Sequence, residues 1–90
     1  MIPDLVTRRH LETAAKALPT QHIPKRHRST RYDVVVDGAL YPPKYLVALA
    51  IKEATGKRLT TRGFGGGRET NGFLRKHGFT VVDKNGRPVV

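Results

Sequence analysis

The sequence of 90 residues predicts a small α+β domain. A three-stranded, mostly antiparallel sheet packs with three helices in the order α-β-β-α-α-β. Three observations carry this expectation. Tyr32 to Val36 and Ala39 to Tyr41 are β-branched, apolar or aromatic runs on either side of Asp37-Gly38, the dipeptide favoured where both central residues of a tight turn take positive φ. Lys44 to Thr55 is an unbroken, mostly apolar helical stretch. An amphipathic segment precedes the hairpin, and a short helical pattern followed by an alternating one comes after the long helix.

In chain order, Met1 to Val6 reads as an arm or a short strand. Thr7 is a suitable N-cap for a helix of about Arg8 to Leu18, whose apolar face is Leu11, Ala14, Ala15 and Leu18. Pro19 stops it. Thr20 to Arg31 is a connector without apolar periodicity, expected to run over the surface, and it holds Lys25, Arg26, His27, Arg28 and Arg31.

The hairpin ends at Pro42 and Pro43. Proline suits a first helical turn because its missing N–H would have no intrahelical partner there and its φ is already fixed. The helix that follows is apolar over most of its circumference, through Leu46, Val47, Leu49, Ala50, Ile51 and Ala54. Lys44, Ala48, Lys52 and Thr55 are expected to form its one polar strip. Gly56 stands where a left-handed C-terminal cap belongs. Such a helix has to be covered on several sides, so it is the expected centre of the core.

Beyond it, Gly63-Phe64-Gly65-Gly66-Gly67-Arg68 forms a glycine-rich stretch. Thr70 is placed to cap a short helix over Asn71 to His77 that buries Phe73 and Leu74, with Gly78 as its C-terminal cap. Phe79 to Asp83 alternates as a third strand. Asn85-Gly86 marks another tight turn, and Arg87 to Val90 returns as a final edge strand kept short by Pro88.

Composition narrows the function. Lys and Arg number 17 against 7 Asp and Glu, a net charge of +10. So large an excess on so small a domain raises self-repulsion with no return to the fold, and it implies a polyanionic partner, with nucleic acid first. No helix sets a bulky apolar face against a basic one, so a membrane surface is a weaker candidate. No cysteine is present, which excludes disulfides and cysteine-based zinc sites. The longest apolar run, Tyr45 to Ile51, cannot span a bilayer, and the expected setting is soluble and cytoplasmic.

Catalytic chemistry finds no support in the residue pattern. His10, His22, His27 and His77 are scattered without metal-ligand spacing, and no pair of acids is spaced for joint acid–base work. The glycine-rich stretch fails as a dinucleotide fingerprint, which needs glycine where Arg68 stands, and as a P-loop, which needs Gly-Lys-Ser/Thr. What remains is a turn presenting free N–H groups beside a guanidinium. The alternative is a flexible loop packed by Phe64. We therefore expect a non-catalytic domain that holds no metal and needs no cofactor.

If the partner is duplex DNA, phosphates would be held by Lys25, Arg26, Arg28, Arg31, Lys44, Arg62 and Arg68. The bases would be sensed by Tyr32, Tyr41, Phe64 or Asn71, through stacking or a bidentate amide contact. Each aromatic also has an ordinary reading as a half-buried packing residue, and Asn71 as a helix-start residue. Two rivals stand beside DNA: a non-specific binder of RNA or single strands, and a module that docks an acidic protein.

Two segments bear a family likeness. The series RSTRYDVVVDGALYPPKYLVALA, and then FGGGRETNGFLRKHGFTVV, resembles the N-terminal head domain of McrA-like, modification-dependent (type IV) restriction endonucleases of the HNH class. The resemblance covers about Thr7 to Val82, with Tyr41-Pro42-Pro43-Lys44 and Gly66-Gly67 to Asn71 its most specific parts. It implies a module that helps an attached nuclease domain find DNA by sensing a methylated or otherwise modified base; the residues do not imply which mark, and N6-methyladenine and 5-methylcytosine are the two to test. It also implies that these 90 residues are one domain from the N-terminus of a larger nuclease.

Overall fold

The computed structural model describes residues 2–3, 5–18, 31–57 and 67–89. Three helices and a three-stranded antiparallel sheet follow one another as α1 (Arg8–Ala17), β1 (Tyr32–Val36), β2 (Ala39–Tyr41), α2 (Pro43–Thr55), α3 (Arg68–Lys76) and β3 (Thr80–Asp83). This is the expected α+β class and element order.

The start of α1 is fixed by a reciprocal cap. His10 N–H donates to Thr7 Oγ1 at 3.4 Å, and Thr7 N–H donates to His10 Nδ1 at 3.0 Å. The imidazole thus takes the place that Glu or Gln usually fills in a capping box. Leu11, Ala14 and Ala15 are buried as the periodicity predicts, and the helix ends one residue early with buried Leu18 as its C-cap. Among the described residues the N-terminal arm forms no strand. It turns through a Val6 N–H to Pro3 carbonyl bond of 3.2 Å and seats Ile2 and Val6 in the core.

The hairpin closes at Asp37 (φ 50°) and Gly38 (φ 79°), the two consecutive positive values that a two-residue loop with the twist of its strands requires. Its register pairs Val34 with Tyr41, Val35 with Leu40 and Val36 with Ala39. On the other edge of β1, Tyr32 faces Asp83 and Val34 faces Val81, giving the order β2-β1-β3. Val34, Val36 and Val81 point into the core, while Leu40 on the opposite face is exposed.

α2 begins at Pro43 and ends on Gly56 in the left-handed conformation, as expected. It is the most enclosed element, and α1 and α3 both pack against it. One consequence differs from the sequence expectation: Ala48 is buried, so the predicted polar strip is interrupted. An alanine on a polar strip presents only a methyl group, and here a neighbouring element covers it.

α3 departs further from expectation. It starts at Arg68 with Gly67 as its N-cap, three residues before the predicted start, so Thr70 lies inside the helix and not at its N-cap. Thr70 and Asn71 are both buried, on the same side as Leu74. Two polar residues extend the apolar stripe towards the N-terminus, and a pattern that counts polar residues as caps or solvent faces misses them. The helix closes as predicted at Gly78, with Phe79 N–H reaching back to the Leu74 carbonyl at 3.0 Å.

β3 begins one residue late. The final return is a single bridge between Val82 and Pro88, supported by Val89 N–H donating to the Val81 carbonyl at 2.7 Å. Pro88 has no N–H to offer a ladder, so this pairing does not grow into a strand. The turn before it is held by Asp83 Oδ1, which accepts from the N–H groups of Asn85 and Arg87, each at 2.9 Å. No helix among the described residues is long and apolar enough to cross a membrane.

Candidate nucleic-acid interface

Hairpin register decides what stands at the open end of the sheet. With Val34 opposite Tyr41, the chain leaving β2 through Pro42 and Pro43 comes beside the start of β1. Arg31, Tyr32, Tyr41 and Lys44 are thereby gathered at one end, although nine residues of hairpin separate the first of them from Tyr41 in sequence. Antiparallel pairing of β1 with β3 sets Tyr32 against Asp83 and so carries Lys84 to the same place. Lys84 Nζ lies 3.1 Å from Asp33 Oδ2, in an exposed ion pair of modest strength.

The individual side chains differ in what they can offer. Arg31 is exposed, and its guanidinium carbon stands 5.7 Å from the centroid of the Tyr32 ring. A cation at that distance is held over the ring face by its quadrupole. Tyr32 and Tyr41 are half-buried and pack against the core, so only part of each ring reaches solvent. Lys44 is half-buried in the first turn of α2, close to the positive end of the helix dipole.

Arg68 is exposed at the first position of α3. Gly67, with φ 61°, stands at the N-cap and offers no side chain to cap the first turn. Asn71 is a different matter. It is only 4% exposed, and its Oδ1 has no hydrogen-bond partner among the described residues. Its amide can therefore meet a base only if its cover moves. Lys25, Arg26, Arg28, Arg62 and Phe64 lie outside the described residues.

Sequence reasoning passed over Lys84, Arg75 and Lys76. Nothing local marks Lys84, which joins the sheet end only through strand register. Arg75 and Lys76 are exposed in the last turn of α3. Their spacing from Arg68 would have flagged a common helical face had the helix been started at Arg68. No group of three or more His, Cys, Asp and Glu able to hold a metal ion comes together among the described residues.

A profile of the ScoMcrA-like N-terminal head domain matches residues 24–83, two thirds of the chain. The chain belongs to this head-domain family. No curated protein and no solved structure matches it. Membership sets the head domain in the general context of McrA-like, type IV restriction. The matched span runs from the basic connector to the end of β3 and leaves out α1, so it begins later than the likeness read from Thr7 onward. The α1 helix that packs on α2 lies outside the matched span.

Proposed function

We propose that this head domain binds duplex DNA and delivers an attached HNH-type nuclease to modified sites, taking no part in cleavage itself. The observation that carries the reading is the charge and its disposition. A net +10 sits on 90 residues. Arg9, Lys16, Lys52, Lys76 and Arg87 are all exposed with no carboxylate partner among the described residues. Charge of this density, with those five cations unpaired among the described residues, suits a polyanion, and the basic sheet end around Arg31, Lys44 and Lys84 gives it a direction.

Within that reading, phosphate contacts position the duplex and the aromatic residues at the sheet end sense the base. Tyr41 is the best placed of the candidates, since it stands directly before the Pro42-Pro43-Lys44 entry to α2. The test is a titration of one short duplex in three forms, unmodified, N6-methyladenine-containing and 5-methylcytosine-containing, at two salt concentrations. A tenfold preference, about 1.4 kcal/mol, that persists at high salt establishes a modification reader and names its mark. Equal and steeply salt-dependent binding of all three leaves a non-specific DNA clamp. Absence of binding removes DNA as the partner.

A further inference from the structure

Arg68, Gly72, Arg75 and Lys76 recur at spacings of four, three and one, so they share the side of α3 that faces away from buried Thr70 and Leu74, with buried Asn71 at its edge. The three cations are exposed. Gly72 stands between them, in the middle of a nine-residue helix, where glycine is a poor choice for helix stability. Nothing among the described residues demands it. Its φ is not positive, and a Cβ built on it meets no atom of the described residues within 4 Å.

We propose that this face of α3 lies against the backbone of duplex DNA, with Gly72 at the point of closest approach. The inference rests on the DNA-binding reading and deepens it by naming the contacting helix. A residue that neither conformation nor internal packing explains is accounted for if an outside surface comes where a side chain would stand. Charge identifies that surface. Arg68 and Lys76 are about 12 Å apart along the axis, one cation near each end of the bare strip, and Arg75 lies beside it.

The remaining polar groups fit this use. Arg75 Nη1 donates to the Val89 carbonyl at 3.3 Å, which fixes the guanidinium while leaving its other N–H groups to an incoming phosphate. Glu69 stands at the edge of the face in the first turn, where a carboxylate complements the helix dipole.

The experiment uses Gly72→Ala and Gly72→Gln in the 90-residue chain, with thermal unfolding and affinity for a 20-base-pair duplex measured at two salt concentrations. Both variants are expected to unfold at higher temperature than the wild type, because both residues are better helix formers than glycine. Gly72→Gln is expected to bind duplex at least tenfold more weakly and Gly72→Ala by less, with the salt slope unchanged because no charge is removed. Opposite signs for stability and affinity are what a merely structural glycine would not give. Wild-type affinity in Gly72→Gln overturns the assignment to α3 while leaving DNA binding intact. A wild-type protein that shows no salt-dependent duplex binding brings down the functional reading, and the α3 assignment with it. Competition by a polyglutamate of matched charge as effective as the duplex assigns the face to an acidic protein.

Discussion

The guanidinium of Arg8 lies over the ring of Phe79, 4.9 Å from its centroid. The same group donates through Nη1 to the His77 carbonyl at 3.4 Å and stands 3.8 Å from Glu12 Oε1. The first residue of α1 thereby secures the turn between α3 and β3, 69 positions away in sequence. Arg8→Ala is expected to lower stability by about 1 kcal/mol, from loss of the cation–π contact and one hydrogen bond to a helix-end carbonyl. In a domain of this size that corresponds to a fall of about 4–8 °C in Tm, readable by circular dichroism. Arg8→Lys should recover only part of it, because an ammonium cannot lie flat on the ring. An unchanged Tm in Arg8→Ala would show the contact to be ornamental.

Gly78 is tied to the same contact. It takes φ 87°, and a Cβ added there would run into Arg8 Nη1. Gly78→Ala should therefore be destabilising by about 1–2 kcal/mol from its left-handed backbone alone, with a further loss from displacing the guanidinium. A double-mutant cycle separates the two. If the clash is real, Gly78→Ala costs less in an Arg8→Ala background than in the wild type, whereas strict additivity places the whole cost in the backbone.

Legibility in the sequence followed the reach of each signal. Asp37-Gly38, Pro43 and Gly56 act on their own neighbours, and the hairpin, the start of α2 and its end all stand where those residues placed them. Thr7 also capped as read, although its partner is the ring of His10, a residue whose role was not anticipated. The start of α3 was misplaced because Thr70 and Asn71 resemble capping residues, and only tertiary packing shows that they face inward. The same error hid the basic face of Arg68, Arg75 and Lys76. Lys84 was out of reach for a different reason: strand register carries it to Arg31, and no local pattern encodes that register.

Asn71 gives a prediction of unusual sign. Burying an amide oxygen without a partner costs about 1–3 kcal/mol, and asparagine is a weaker helix former than alanine. Asn71→Ala should thus leave stability unchanged or raise it by up to about 1 kcal/mol, where truncating a buried apolar side chain of similar size would lower it. Urea unfolding decides the matter. A loss above about 2 kcal/mol would mean that the amide is satisfied after all and holds α3 in place.

Asp83 is expected to matter more than its exposed turn suggests. Its Oδ1 accepts from both Asn85 and Arg87 N–H groups, which fixes the return of the chain to the Val82–Pro88 bridge. Asp83→Ala should cost about 1–2 kcal/mol, the range for loss of a charge-assisted backbone cap. Asp83→Asn, which keeps an acceptor, should recover most of it. Hydrogen exchange at Val89 N–H, bonded to the Val81 carbonyl, reports the change locally and should accelerate in Asp83→Ala before the rest of the sheet responds.

Arg8 and Arg68 can be set against each other. One guanidinium is engaged within the fold, while the other is exposed at the start of α3 with no carboxylate partner among the described residues. For Arg68→Ala the expectation is a Tm close to that of the wild type and a plot of log affinity against log salt flatter by about one unit. Arg8→Ala should do the reverse, lowering Tm and leaving the slope. Equal slopes in wild type and Arg68→Ala, with duplex binding retained, would take the N-terminus of α3 out of the interface and leave the phosphates to the sheet end formed by Arg31, Lys44 and Lys84.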